Sequence, residues 1–361
     1  MKDTILSVIR LIATPVLLMV LVGAVFVAGP AGLLAKLTPE SLDLSFWATV
    51  VFVYYVLATL LPIDKIIGKI YPIFAIALIF MAAGILFMIF WHHPALPELT
   101  DGIANTHPDG LPIFPMMFIS IACGAISGFH ATQSPLMARC MTNEKYGRPV
   151  FYGAMITEGI VALIWAAAAT YFFHTEEGSA LFAAGSGNDN AAVIVDSITK
   201  EWLGVVGGFL AILGVIAAPI TSGDTAFRSA RLIVADFLRV DQKPILKRLM
   251  ISVPLFVAGY IILHANFSVL WRYFAWCNQT LAVFTLWALT VYLTQKRKPY
   301  VITLIPALFM TAVCSTYILI AREGLHLPQE LAYWLGGAVT LFIFVLFLVW
   351  RNKYLRRNPT I

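Results

Sequence analysis

Long apolar runs, separated by short polar loops, recur along the whole chain. Most of them approach the roughly 20 residues that a helix needs to cross a bilayer. The runs are continuous, whereas the strands of a membrane barrel would alternate apolar and polar residues over about ten positions. The pattern therefore predicts an all-α polytopic membrane protein of about ten transmembrane helices, over residues 5–28, 45–61, 70–91, 113–128, 150–173, 204–221, 248–264, 268–294, 300–320 and 331–350.

Composition excludes most other classes of protein. Hydrophobic residues fill 60% of the 361 positions and charged residues only 12%, against about 25% charged in ordinary soluble domains. So few polar residues cannot cover the surface of a soluble globule, which excludes a soluble enzyme, a disordered chain and a secreted disulfide scaffold. The four cysteines show no disulfide or metal-ligand spacing. No stretch is typical of a separate soluble domain, so a single transmembrane domain over 1–361 is predicted.

The basic residues predict the orientation of the chain. If the N-terminus lies in the cytoplasm and ten helices alternate, most of the 24 Lys and Arg residues fall on the cytoplasmic side, in agreement with the positive-inside rule. The outer loops, 92–112 and 174–203, are instead acidic. Both termini are therefore expected in the cytoplasm. The net charge of +5 then reflects topology in a lipid bilayer, and no nucleic-acid partner is expected.

One carboxyl group lies deep inside an apolar run. Glu158 is eight residues into the fifth run, about 12 Å from its cytoplasmic end at 1.5 Å per residue. A charge at the bilayer centre costs at least about 2.5–3.5 kcal/mol, so this carboxyl group is expected to hold a proton near neutral pH. The position is compatible with a proton-coupling role and also with a structural hydrogen bond to a neighbouring helix.

The fourth run starts as a membrane helix and then becomes polar. Residues 124–134 contain two glycines, two serines, a threonine, a glutamine and a histidine. Ser134 and Pro135 then resemble the N-cap and first residue of a new helix. We expect a discontinuous helix, whose second half would attract an anion such as a carboxylate to its exposed N–H groups. The alternative is an ordinary cytoplasmic loop.

The sixth run ends at Pro219, and polar residues follow it. A helix over 225–238, with apolar and basic residues on opposite faces, is expected to lie in the cytoplasmic membrane interface. Asp224 would cap this helix. Alternatively, it would face the same polar cavity as His130 and Glu158.

The eighth run carries two adjacent amides, Asn278 and Gln279. Neighbouring positions on a helix point about 100° apart, so one helix face cannot hide both side chains from lipid. At least one of them is expected to meet another helix or a polar cavity.

No nucleotide-binding, metalloprotease or hydrolase motif occurs in the chain. The histidines and aspartates of the outer loop 92–112 lack metal-ligand spacing, so neither a metal nor a cofactor is expected. The chain is not expected to be an enzyme. Any work that it does must draw on a proton or sodium gradient, or on another subunit.

Three polar stretches share features with one known family. They are residues 121–134 (IACGAISGFHATQS), 223–232 (GDTAFRSARL) and 271–281 (WRYFAWCNQTL), and residues 60–65 and 152–155 agree with them. Together these motifs resemble the carbon starvation protein A family, and the resemblance covers residues 45–295.

This resemblance implies an inner-membrane secondary transporter for peptides or small carboxylates such as pyruvate, induced when carbon is short. It also implies a fold with two inverted five-helix repeats around unwound helices. Members of the family begin with several more helices, including a Gly-Pro-rich segment, and no similar segment is expected before residue 45. The chain thus resembles the C-terminal part of a family member, and a separate chain could supply the missing N-terminal helices.

The hypothesis that follows is a proton- or sodium-coupled symporter that works by alternating access. Asn278 and Gln279 would line the substrate cavity or brace the broken helix, and Glu158 with Asp224 would carry the coupling ion. The substrate would contact the broken helix itself, at Ser127, Gly128, His130, Thr132, Gln133 and Ser134. The alternatives are a passive channel, a membrane scaffold subunit, or a partial transporter without activity of its own.

Overall fold

The computed structural model describes residues 2–60, 64–94, 96, 98, 105, 110–183, 191–264 and 267–358. In this part of the chain the regular structure is helical throughout, without strands. Among the described residues, eight helical segments are long and apolar enough to cross a membrane, which confirms the prediction of an all-α polytopic membrane protein. Of the ten predicted spans, 45–61 corresponds to a shorter apolar helix, and 204–221 is not among the eight segments.

The helices divide between two compact units, Met1–Glu98 with Ile156–Phe274, and Leu99–Met155 with Ala275–Ile361. The prediction of one transmembrane domain over 1–361 stays a prediction.

The α-helices are α1 (Lys2–Leu37), α2 (Leu44–Leu60), α3 (Asp64–His92), α4 (Ile113–Ile121), α5 (Gly128–Cys140), α6 (Ala154–Phe173), α7 (Glu176–Ala183), α8 (Ala191–Ala211), α9 (Ala217–Leu238), α10 (Ile245–Leu263), α11 (Phe267–Gln295), α12 (Val301–Ile320) and α13 (Gln329–Arg357).

The first unit is built around α1 and α9. Helix α1 packs against α9, α2 and α10, and α3 packs against α8. A second apolar core joins α3, α6 and α8 through buried side chains such as Met81, Phe172 and Trp202. Close approach of α1 and α9 depends on Gly23, because a Cβ there would overlap the Phe227 ring.

Helix α9 corrects two predictions. It runs without interruption through Pro219 and Asp224. The expected end of a helix at Pro219 and the expected N-cap at Asp224 are therefore both wrong. Pro219 closely follows a π-helical turn over Ile212–Ile216 that runs into α9, and a missing N–H is tolerated where the regular hydrogen-bond pattern of a helix is already interrupted. The helix is longer than the predicted 225–238, and it packs against α1, α2 and α10 and buries Ala226, Phe227 and Ala230. Its place in the cytoplasmic membrane interface stays a prediction.

The second unit contains the fourth run, α11 from Ala275 onward, α12 and α13. Helix α12 packs against α4 and α13, and the core includes Ile119, Val283 and Met310. Two indole groups of α11 add polar contacts to α12. Trp276 Nε1 donates to the Cys314 carbonyl at 3.1 Å, and Trp287 Nε1 donates to Thr311 Oγ1 at 3.0 Å. These bonds fix α11 beside α12 and so set the position of the residues on the facing turns of α11.

Candidate functional site

The fourth run is a broken helix, as its polar residues predict. Helix α4 ends at Ile121, one 3-10 turn covers Ala122–Gly124, and α5 begins at Gly128. The N-cap of α5 is Ser127, which has extended backbone (φ −118°, ψ 131°) and accepts a hydrogen bond from Phe129 N. The break therefore lies between the 3-10 turn and Ser127.

The start of the second half differs from the prediction. Ser134 is not an N-cap, because it lies inside α5 and its hydroxyl donates to the His130 carbonyl at 2.7 Å. Pro135 also lies inside this helix. Serine followed by proline is typical of a helix start, but Ser127 followed by glycine offers an equivalent cap seven positions earlier. The earlier cap prevails because α11 satisfies the backbone groups that this break leaves open.

Several backbone groups lose their helical partners at the break, among them the N–H of Cys123, the C=O of Ile126 and the N–H of Phe129. Phe129 N donates to Asn278 Oδ1 at 2.8 Å. The Gln279 carboxamide, oriented so that its oxygen faces an N–H and its nitrogen faces a C=O, accepts from Cys123 N at 3.0 Å and donates to Ile126 O at 2.7 Å. The two adjacent amides of α11 thus substitute for missing main-chain hydrogen bonds on both sides of the break.

The Asn278 amide is further held by the residues of the break. Its Nδ2 donates to Ser127 Oγ at 3.1 Å and to Cys123 Sγ at 3.3 Å. Asn278 and Gln279 are both completely buried, at 0% exposure. Two roles were considered for this pair, lining a cavity and bracing the broken helix. The contacts are those expected of a brace between α11 and the broken helix.

Gly128 allows the backbone of α5 to touch α11. A Cβ at this position would lie 2.8 Å from Leu281 Cβ and 2.9 Å from Ala282 N, and closer still to the Asn278 carbonyl oxygen. Backbone atoms cannot move aside as the end of a flexible side chain can. Only glycine therefore fits this contact without a shift of one helix.

The remaining predicted substrate residues follow along α5. His130, Thr132 and Gln133 are partly exposed. The Thr132 hydroxyl donates to the Phe129 carbonyl at 2.7 Å, and Gln133 Nε2 donates to Thr132 Oγ1 at 3.4 Å. These side chains present hydroxyl, amide and imidazole groups on α5 beyond the brace.

The two predicted ion-coupling residues lie in the first unit, whereas the eight predicted substrate residues lie in the second. Glu158 lies in α6, after a π-helical turn over Arg148–Gly153, and its side chain is partly exposed. Asp224 is 3% exposed in α9. Its Oδ2 pairs with Arg228 Nη2 at 3.1 Å, one turn further along the helix.

Two residues of the first unit were not singled out from the sequence. Arg231 is only 8% exposed and continues the polar stripe of Asp224 and Arg228, a spacing of four and then three residues that the sequence does contain. Tyr55 is completely buried, and its hydroxyl donates to the Phe26 carbonyl at 3.1 Å. That carbonyl has no helical donor because Pro30, four residues later, lacks an N–H.

The described residues include no cluster of three His, Cys, Asp or Glu side chains that could hold a metal ion. Three polar features of this part of the chain bear on function: the braced break, the α5 side chains, and the stripe of Asp224, Arg228 and Arg231 on α9. Together with the apolar helices, these features define a multi-pass membrane protein with an interrupted helix.

Comparison with known proteins identifies the family. The family model described as "Carbon starvation protein CstA" matches residues 2–201 and 173–317. The chain belongs to the carbon starvation protein CstA family, which confirms the resemblance seen in the motifs. The match covers residues 2–317 and so extends beyond the predicted 45–295 at both ends.

Three relatives illustrate the range of similarity. An uncharacterized membrane protein of Haemophilus influenzae is 37% identical over 210 residues, which are 44% of this chain and 57% of that protein. The peptide transporter CstA of Bacillus subtilis is 26% identical over 281 residues, 65% of this chain and 47% of the relative. The pyruvate/proton symporter BtsT of Escherichia coli is 41% identical over 78 residues, 21% of this chain and 11% of the relative.

The chain thus spans less than two thirds of the length of each of these three relatives. The two relatives with functional names are a transporter and a symporter, and neither name describes an enzyme. At the level of the family, the prediction that the chain is not an enzyme is confirmed.

Proposed function

We propose that this chain acts in the secondary transport of peptides or small carboxylates such as pyruvate, by symport with protons or sodium ions, during carbon starvation. The proposed setting is the inner membrane, with both termini in the cytoplasm. The observation that carries the proposal is the braced, interrupted helix in a chain of the CstA family. The names of the relatives support both substrate classes, since one is a peptide transporter and another a pyruvate/proton symporter.

The broken helix provides the groups that the proposed substrate would contact. His130, Thr132, Gln133 and Ser134 present two hydroxyls, an amide and an imidazole within five positions of α5. Such groups hydrogen-bond carboxylate and peptide groups. Interruption of a helix at a site in the membrane is a recurrent device of secondary transporters. Ser127, Gly128, Asn278 and Gln279 would support this site by holding the break in place.

Glu158 is the proposed carrier of the coupling proton, with Asp224 as a second candidate. Glu158 is partly exposed and lies in a helical segment long and apolar enough to span the membrane. Carboxyl groups inside membrane segments form proton relays in pumps and transporters. Asp224 forms an ion pair with Arg228 at 3.1 Å and is the second candidate.

The proposal is tested in vesicles that contain the purified full chain. Uptake of radiolabelled pyruvate and radiolabelled glycylglycine is measured under an imposed proton gradient, an imposed sodium gradient, and no gradient. We expect accumulation above the external concentration under one of the two gradients. Glu158→Gln should abolish proton-driven accumulation but retain exchange of internal for external substrate, because a neutral amide resembles the protonated carboxyl group.

Glu144→Gln is the matched control, since it makes the same chemical change in an exposed turn, and it should leave uptake unchanged. Equal accumulation in Glu158→Gln and the parent would assign Glu158 a structural role. Substrate flux that only follows its own gradient would identify a passive channel. No flux of either substrate in the parent would refute transport by this chain alone and would favour a scaffold subunit or a dependence on a separate chain.

A further inference from the structure

We propose that Asn278 and Gln279 are positioning residues of the transporter, which hold the broken helix in its interrupted form without contacting the substrate. The inference deepens the proposed function and rests on it for the link to transport. It assigns to this amide pair the task of making the interruption a fixed part of the second unit, instead of a flexible joint.

At the break, the backbone groups of Phe129 and Ile126 have lost the partners that a continuous helix would give them. A continuous helix would pair Phe129 N with the carbonyl four residues earlier, and the Ile126 carbonyl with the N–H four residues later. In the structure, His130 N donates instead to the Ser127 carbonyl at 3.3 Å, which leaves the Ile126 carbonyl to Gln279. A buried N–H or C=O without a partner is costly, so the interruption depends on what α11 supplies.

The two amides bond different halves of the broken helix. Gln279 bonds the end of the first half, at Cys123 N and Ile126 O. Asn278 bonds the start of the second half, at Phe129 N and Ser127 Oγ. Because the two amides are neighbours on one helix, they fix the distance between the two halves of the broken helix.

The two amide side chains are inaccessible to a substrate. Both amide side chains are 0% exposed, and the Asn278 oxygen accepts from the Phe129 N–H in the first turn of α5, where a substrate carboxylate would otherwise bind. The Gly128 contact seals the same turn of α11 against α5. A substrate would bind the partly exposed side chains further along α5. Its binding would depend on the two amides, because they hold α5 in place, but it would not contact them.

The test uses a thiol that the structure places in the brace. Cys123 accepts a hydrogen bond from Asn278 and is partly buried, whereas Cys140 is exposed. The labelling rate of Cys123 by N-ethylmaleimide, divided by that of Cys140, reports how often the break opens in the purified full chain. This readout does not require transport, so it distinguishes failure of the inference from failure of the proposed function.

Asn278→Leu keeps the branched shape of the side chain and removes the bonds to Phe129, Ser127 and Cys123. We expect the Cys123 labelling ratio to rise about tenfold, because transient opening increases when a buried N–H loses its partner. Gln279→Met should act in the same direction. Thr285→Val on the same helix is the matched control, since the Thr285 hydroxyl bonds the Leu281 carbonyl of its own helix at 2.9 Å, and its ratio should equal that of the parent.

Asn278→Asp separates positioning from substrate contact. The carboxylate keeps an acceptor for Phe129 N, so the labelling ratio should stay below that of Asn278→Leu. In the uptake assay, the KM for pyruvate should change by less than about threefold, and the uptake of pyruvate and glycylglycine should fall by the same factor. Direct contact with the substrate carboxylate would instead raise the KM for pyruvate more than about tenfold, because two negative charges would meet.

Two results would overturn the inference. One is a labelling ratio in Asn278→Leu equal to that of the Thr285→Val control, which would mean that the amide does not hold the break. The other is the large rise in KM in Asn278→Asp with the labelling ratio of the parent, which would make Asn278 a substrate-binding residue. If the parent transports neither pyruvate nor glycylglycine, the labelling result still decides whether the amides hold the break.

Discussion

Substitution of Gly128 by alanine provides a sensitive measure of how closely α5 and α11 must approach. An added Cβ would lie 2.8 Å from Leu281 Cβ, whereas ordinary contacts begin at 3.4 Å. The helices must therefore separate by at least about 0.6 Å, and by more at the Asn278 carbonyl oxygen. A shift of this size lengthens the bond from Phe129 N to Asn278 Oδ1 from 2.8 Å to about 3.4 Å, beyond the usual range for such bonds.

The magnitude follows from three contributions. Overpacking costs about 1–3 kcal/mol, and the weakened interhelical hydrogen bond costs about 0.6–2 kcal/mol. Replacement of glycine by alanine in a helix offsets at most about 1 kcal/mol of this loss. We expect Gly128→Ala to lower the free energy of unfolding by about 1–4 kcal/mol.

The assay is unfolding of the purified chain in mixed micelles with increasing denaturing detergent, followed by circular dichroism. Gly337→Ala is the matched control, because a Cβ at Gly337 in α13 meets no atom within 4 Å, and it should equal or slightly exceed the stability of the parent. Equal unfolding midpoints for Gly128→Ala and Gly337→Ala would refute the conclusion that the α5–α11 contact requires glycine.

Two further predictions test other parts of the molecule. Tyr55→Phe should destabilise the first unit by roughly 0.6–2 kcal/mol, because the Phe26 carbonyl then loses its hydroxyl donor. The control is Tyr292→Phe, at a tyrosine that is 53% exposed. A loss of stability in Tyr55→Phe no larger than in this control would contradict the prediction. In whole cells, an impermeant maleimide added outside should label a cysteine introduced at Asn105 but leave the exposed native Cys140 unlabelled, and the opposite pattern would reverse the proposed orientation.

The pattern of apolar runs was sufficient to predict the class of the fold, because membrane-spanning helices must satisfy every backbone group internally and therefore need long apolar stretches. The glycines and polar residues of 121–134 were likewise sufficient to predict a broken helix. These properties depend on local composition, which is why they can be read without a structure. The family motifs lie in the same stretches.

The exact start of α5 required the tertiary structure. Ser127 and Ser134 are both plausible N-caps by local sequence, and the choice depends on Asn278, which lies 149 positions from Phe129 along the chain. No local pattern can indicate which of two caps a distant amide will support. For the same reason, adjacent amides in α11 predict a polar contact but not the partner that each amide meets.

The position of α9 was also decided by tertiary packing. A helix with apolar residues on one face and Arg228 and Arg231 on another is typical of a membrane interface, yet the same pattern suits a buried helix whose charged side chains find partners inside the protein. Asp224 pairs with Arg228, and α1 covers the apolar face of α9 through the close contact at Gly23. The sequence therefore determined which residues of α9 are apolar and which are charged. The neighbouring helices determined that Asp224 and Arg231 are buried together with Phe227, because burial depends on what packs against a helix and not on its own periodicity.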